Sequence, residues 1–293
     1  IIAMMSRSAW VFIVWVGLFS LMSGSPAHAQ EVPSDSAHNP ILWADVPDPS
    51  VIRVGDAYYM SSTTMHMSPG VPIMKSRNLV DWRLVSYVYD TLATSDAMAL
   101  RNGRNAYGEG SWASSLRYHD GTYYLATFSY TTQKTHIYRT DDIEDGAWQE
   151  STLDSLYHDP SLLFDNGRVF LAYGGGDIGI VELTADASSV KDGGLQKRII
   201  ANAGEVAADD IMLPAEGAHI HKVDGKYYIF LITWPRGGMR TQIVYRSDHI
   251  AGPYEGRVVL QDAGIAQGGI VDTPEADWYA MRFQYHVSVG RIA

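Results

Sequence analysis

The sequence predicts an all-β protein built from repeated hairpins, and three observations carry that expectation. An apolar strand, a turn rich in Gly, Asp or Asn and an aromatic-rich strand recur five times, in "SVIRVGDAYYMSS", "SLRYHDGTYYLATFSY", "SLLFDNGRVFLAYGG", "HIHKVDGKYYIFLITW" and "IVDTPEADWYAMRFQY". Paired bulky residues mark each second strand, at Tyr58/Tyr59, Tyr123/Tyr124, Val169/Phe170, Tyr227/Tyr228 and Trp278/Tyr279, in steps of 65, 46, 58 and 51 residues. Beyond residue 29 no stretch keeps apolar residues at i, i+3, i+4, i+7 over several turns, so helices are expected to be scarce. Five such hairpins close most economically into a five-bladed β-propeller whose innermost strands line a central channel.

Taken in order, the chain opens with Arg7, the apolar run "AWVFIVWVGLF" and a small-x-small pattern at Ala27 and Ala29. Residues 1–29 therefore read as a signal peptide and 30–293 as the propeller. The run is shorter than the ~20 residues of a spanning helix, so the expected location is secreted or periplasmic, with no membrane attachment after cleavage. A turn rich in Gly, Asp or Asn between the two strands of each hairpin is the signature of tight antiparallel pairing. The paired aromatics are assigned to core packing. Outer strands follow in "KSRNLVDWRLV", "RTDDIEDGAWQES" and "RSDHIAGPYEGRV", each a polar turn, an aromatic residue and a short extended run.

Composition narrows the function. A net charge of −11 without a basic run argues against nucleic acid and anionic lipid as partners. The absence of cysteine excludes disulfides, thiolate catalysis and cysteine-based zinc sites. A neutral ligand remains, and the repeats show where it would bind. The start of each first strand should face the channel mouth, and in register these positions hold Asp48, Trp112, Asp159, Glu216 (displaced by one residue) and Gln267. Asp before Pro also opens ordinary turns, but three unrelated turns have no structural reason to place acids at one point of the repeat. Three carboxylates, an aromatic platform and an amide around one pocket describe a carbohydrate site.

The segments "NPILWADVPDPSVIRVGDAYYM", "SWASSLRYHDGTYY", "YHDPSLLFDNGRVFLAYGGGD", "LPAEGAHIHKVDGKYYIFLITWPRGG" and "AQGGIVDTPEADWYAMRFQ" together resemble glycoside hydrolase family 43, from about Asn39 to the end. The resemblance implies an inverting hydrolase on a five-bladed propeller, in the β-xylosidase and α-L-arabinofuranosidase branch, releasing xylose or arabinose from plant cell-wall polysaccharides or oligosaccharides. It makes Asp48 the general base, Glu216 the general acid and Asp159 the acid that positions Glu216 and raises its pKa. It makes Arg291 a contact of the sugar and the base. The other implied substrate-binding positions are Trp112, Gln267, His286 and His66, the last with Met65 in a loop that often offers an aromatic ring. No cofactor is required. Some members hold a channel calcium through a His that is here Gln267, which speaks against that ion. The branch continues past its arginine with further strands and a β-sandwich, whereas this chain ends at Ala293. A truncated last blade is therefore expected, and a catalytically inactive carbohydrate-binding propeller is the alternative reading.

Overall fold

The computed structural model describes residues 39–65, 68–261, 265–275 and 277–284. All lie in the unit His38–Ala293, which separates from Ile1–Ala37. The signal peptide expected over 1–29 therefore falls outside the described residues.

Four antiparallel four-stranded blades follow one another. Blade one is β1 (Ser50–Val54), β2 (Ala57–Ser61), β3 (Gly70–Ser76) and β4 (Arg83–Tyr89). Blade two is β5 (Ser111–His119), β6 (Thr122–Ser129), β7 (Lys134–Thr140) and β8 (Gln149–Leu153). Blade three is β9 (Ser161–Asp165), β10 (Arg168–Tyr173), β11 (Ile178–Leu183) and β12 (Gln196–Ile200). Blade four is β13 (Ile211–Val223), β14 (Lys226–Pro235), β15 (Thr241–Ser247) and β16 (Glu255–Gln261). A two-stranded sheet, β17 (Ile265–Asp272) and β18 (Trp278–Gln284), comes last. The arrangement is a β-propeller of four complete blades; a complete fifth is not among the described residues. Among the described residues helix is confined to one 3-10 turn, Ala203–Val206.

Each inner hairpin forms where the repeat placed it. In blade three Asn166 and Gly167 both take positive φ, 51° and 72°, the two left-handed residues that a tight hairpin turn demands. Apolar residues then face the neighbouring blade. One core joins blades one and two through Tyr59, Ile73, Leu116 and Leu125. A second joins two and three through Ala126, Ile137, Leu162 and Leu171, and a third joins three and four through Phe170, Ile180, Ile220 and Ile229. Each such fully buried aliphatic or aromatic side chain contributes about 1.5–3 kcal/mol. The aromatic pairs of blades one and two are buried as expected, but Trp278 and Tyr279 stay 45% and 55% exposed. No described strand packs beyond β18 to cover them.

The repeated Asp-Pro-Ser is explained by its serine as well as its acid. The Ser50 hydroxyl of β1 accepts the Leu116 N–H of β5, Ser115 of β5 accepts the Leu162 N–H of β9, and Ser161 of β9 accepts the Ile220 N–H of β13, each at 3.0 Å. These buried serines stitch each inner strand to the next. At the fourth junction His221 takes over: its Nε2 stands 3.5 Å from the Ile270 N–H, and burial first, then the Arg117 charge, holds its pKa well below the ordinary value. A neutral imidazole is what an acceptor requires. The last sheet closes on blade one through Val271 packed with Val51, Tyr58 and Met60, and through an Arg53–Asp272 ion pair.

Arg117 sits where the inner strands converge. Its guanidinium donates to the carbonyls of Leu116 (2.7 Å), Leu162 (2.8 Å) and Ile220 (3.0 Å) and to the Ser161 hydroxyl (3.2 Å), with Ser50 Oγ at 3.5 Å. One side chain thus spans four inner strands, and burial pulls its pKa down to about 10.

Away from the axis, Glu182 on β11 is buried beneath Arg168 (3.0 and 2.6 Å), Lys191 (2.7 Å) and the Leu195 N–H (3.1 Å). The Arg168 hydrogen bonds, with those of Lys191 and Leu195, hold its carboxyl far below the usual range. A depressed carboxyl stabilises the fold above the unfolded pKa near 4.5 and loses that contribution as pH falls below it. Glu182→Gln is expected to cost about 1–3 kcal/mol at pH 7 and much less at pH 3, read by urea denaturation at both values.

Candidate active site

Two of the three acids stand on matching loops and the third on a strand. Asp48 and Asp159 each lie two residues before an inner strand, directly ahead of Pro49 and Pro160, with φ of 51° and 46°. A left-handed, non-glycine residue before proline is strained backbone. The same strain recurs at the same point of two blades, which marks a constraint on where the carboxylates aim. Glu216 lies within β13, where the pairing with β14 shifts register at Leu213/Glu216 and Glu216/His219. That bulge accounts for its one-residue displacement from the repeat and re-aims its side chain, as bulges beside active sites do.

The three carboxylates act on one another. Burial, then the charges of Asp159 and Glu216, push the Asp48 carboxyl up to about 7, while Arg240 opposes the shift. Burial, then Glu216, push Asp159 up to about 6 against the pull of His158 and the Gly217 N–H. Asp159 is the enclosed member, with a side chain 7% exposed against 29% for Glu216. Its Oδ2 accepts the Gly217 N–H at 2.8 Å and so anchors the residue that follows Glu216. Gly217 has φ of 73°, and a Cβ there would come within about 3 Å of the Gln267 side chain. Buried Gln267 therefore presses on the same backbone from the other side.

An aromatic wall flanks Glu216. The Trp112 ring lies 6.3 Å from Phe128 and 5.7 Å from Tyr130, and Phe128 lies 5.1 Å edge-on to His158. His158 Nε2 stands 3.2 Å from Glu216 Oε2 and 3.5 Å from Asp159 Oδ2. Burial would lower the His158 pKa; the Glu216 hydrogen bond and the two carboxylate charges outweigh it and leave it raised. On the Asp48 side, Arg240 rests 5.1 Å from the Trp234 ring centroid.

Of the residues expected from the sequence, the structure gathers Asp48, Asp159, Glu216, Trp112 and Gln267. His66, His286 and Arg291 lie outside the described residues. Sequence reasoning passed over His158, Tyr130, Arg240 and Arg117. A signal for the first was present: the echo reads Pro-Asp-Pro-Ser at Pro47 but His-Asp-Pro-Ser at His158, and a titratable residue replacing an inert one beside a candidate acid carries chemistry.

At the position where some family members place a metal-binding His, Gln267 offers a neutral amide. Among the described residues the one group of His and acidic side chains with metal-like spacing is His158, Asp159 and Glu216, with ligand atoms within 4.8 Å of one another. The buried ring of His219 near Gly269 is driven neutral, its pKa about 3, by burial and then by the Arg117 cation, a charge that repels a metal ion.

Sequence comparison agrees with this geometry. Residues 37–290 match the pattern described as Glycosyl hydrolases family 43. A β-xylosidase of Formosa agariphila is 31% identical over 83% of this chain and 45% of that protein. A non-reducing end α-L-arabinofuranosidase of Bacteroides ovatus is 27% identical over 86% of this chain and 45% of that one. A solved structure described as a bifunctional GH43-CE of Bacteroides eggerthii is 58% identical, with a TM-score of 0.82, over 85% of this chain and 32% of that one. The chain thus spans less than half of the length of these relatives. With a family match along nearly all of the propeller and a common fold at high identity, the chain belongs to glycoside hydrolase family 43.

Proposed function

We propose that this chain is an inverting exo-acting glycosidase that releases xylose or arabinose units from plant cell-wall oligosaccharides or polysaccharides. The observation that carries the proposal is the coupling of three carboxylates at one channel mouth, with Asp48 raised to about 7 by burial and by the other two. Inversion needs one carboxylate to activate water on one face of the sugar and a protonated carboxyl to serve the leaving oxygen on the other. Asp48, beside Arg240, is the base. Glu216, more open and next to the aromatic wall, is the acid. Asp159 holds Glu216 through the Gly217 N–H. The sugar's apolar face has Trp112 to stack on. In this reading β17 and β18 are the inner half of a fifth blade, and residues 1–29 direct the protein out of the cytoplasm.

Asp48 also sets the pH dependence. A general base must be ionised in the free enzyme, so kcat/KM is expected to fall with decreasing pH below about 7 with a slope of one. A pH–rate profile reads this directly. The defining experiment is hydrolysis of an aryl β-xyloside and an aryl α-L-arabinofuranoside by the full chain. Turnover of either supports the assignment. Binding of xylo- or arabino-oligosaccharides without turnover returns the non-catalytic propeller.

A further inference from the structure

We propose that His158 is the positioning residue of the general acid, fixing which oxygen of Glu216 carries the proton. The inference rests on Glu216 being that acid. The geometry supplies both ends of the argument. His158 Nε2 lies 3.2 Å from Glu216 Oε2, and His158 Nδ1 lies 3.3 Å from the Tyr130 hydroxyl. Nε2 carries a proton in the imidazolium that the two carboxylates favour, and a neutral ring keeps it there when the Tyr130 hydroxyl donates to Nδ1. That N–H then donates to Oε2, so Oε2 serves as acceptor and the acid's own proton belongs on Oε1. When Oε1 gives its proton to the departing oxygen, the O–H bond breaks, the new bond to the leaving group forms, and the carboxylate left behind keeps the same N–H, now as a stronger charge-assisted hydrogen bond. The imidazole helps the step without itself losing a proton.

The ring is held for this task. Its carbonyl accepts the Gly174 N–H at 2.8 Å, Phe128 packs edge-on at 5.1 Å, and Gly175 lies so near that a Cβ would stand 3.5 Å from the ring. The titratable groups facing it are Glu216 from β13, Asp159 from its own loop and Tyr130 following β6. Asp159 Oδ2 is already engaged by the Gly217 N–H, which leaves Glu216 as the nearer partner of Nε2.

Two measurements test the assignment. In the first, His158→Phe, His158→Gln and Glu216→Gln are compared on aryl glycosides with a poor leaving group, phenol, and a good one, 2,4-dinitrophenol. His158→Phe keeps a ring but no donor, and is expected to slow the phenyl substrate by about 10²-fold and the dinitrophenyl substrate by less than about threefold. His158→Gln, which retains an N–H donor, should recover most of the loss. Equal slowing of both substrates by His158→Phe would mean a merely structural role and overturn the proposal. If Glu216→Gln itself discriminates no leaving group, the reading of Glu216 fails instead. The second needs no turnover: imidazole ¹⁵N shifts of the full chain, with His158→Gln to assign the signal. Spectra are taken above the raised pKa of His158, where the ring is neutral: an Nε2–H tautomer that is lost or shifted in Tyr130→Phe supports the proposal, and an Nδ1–H tautomer overturns it.

Discussion

Asp48→Asn is expected to lower hydrolysis by about 10²–10⁴-fold while raising the melting temperature above pH 7. The two effects share one cause. Folded Asp48 keeps its proton up to about pH 7, whereas an unfolded aspartate loses it near 3.8, so the folded state binds more protons between those values. Stability therefore declines as pH rises through that window, by up to about 4 kcal/mol for a shift of three pH units. Partial exposure of Asp48 at the mouth reduces the figure to about 1–3 kcal/mol. Asn keeps the shape and carries no charge to desolvate, so the variant gains stability at pH 8 and nothing at pH 4. Glu216→Gln should lose activity to a similar extent, but a dinitrophenyl leaving group departs without protonation and rescues it. That substrate should not rescue Asp48→Asn, because water must still be activated. Melting curves at pH 4 and 8, with rates on both substrates, check every part.

Arg117→Met should produce the largest loss of stability. Methionine fills much of the stem's volume but strips hydrogen-bond donors from three carbonyls and two serine hydroxyls at the convergence of β1, β5, β9 and β13. Unsatisfied buried acceptors cost about 1–3 kcal/mol each, and the residual exposure of Arg117 to the channel permits water to recover part of this. A net cost of about 2–4 kcal/mol is expected, equivalent to a fall of roughly 5–15 °C in melting temperature. His219 and His221 should become easier to protonate in the variant, since the Arg117 charge helps to hold both neutral. Differential scanning calorimetry gives the first quantity and histidine NMR titration the second. A variant that melts with the wild type would show that the serine stitches alone hold the inner strands in register.

The hairpins were legible because their information is local: a turn rich in Gly, Asp or Asn between two runs of alternating residues sets pairing whatever lies elsewhere. The acids were legible for a related reason, since each blade repeats its inner strand and any departure stands out in register. Glu216 shows the limit of that reasoning. Its displacement was visible, but its cause is a bulge in the β13–β14 ladder, which depends on pairing that the residues near Glu216 do not encode. Blade three hid its outer strand because the segment between β11 and β12, held by Thr184, Asp186 and Lys191, interrupts the pattern seen in the other blades. Arg117 was illegible because its partners lie 45 and 103 residues away in sequence and meet only once the ring forms. Trp278 and Tyr279 followed the repeat in sequence but not in burial, since burial depends on what packs beyond the strand.

The stereochemistry of the released sugar tests the central claim most directly. ¹H NMR during the first minutes of hydrolysis, before mutarotation, reports which anomer forms. With Asp48 delivering water to the face opposite the bond that Glu216 protonates, the account predicts that a β-xyloside releases α-xylose first, or an α-L-arabinofuranoside β-arabinose. First release of the anomer with the substrate's own configuration would contradict it, because retention requires a carboxylate to attack the sugar in place of water.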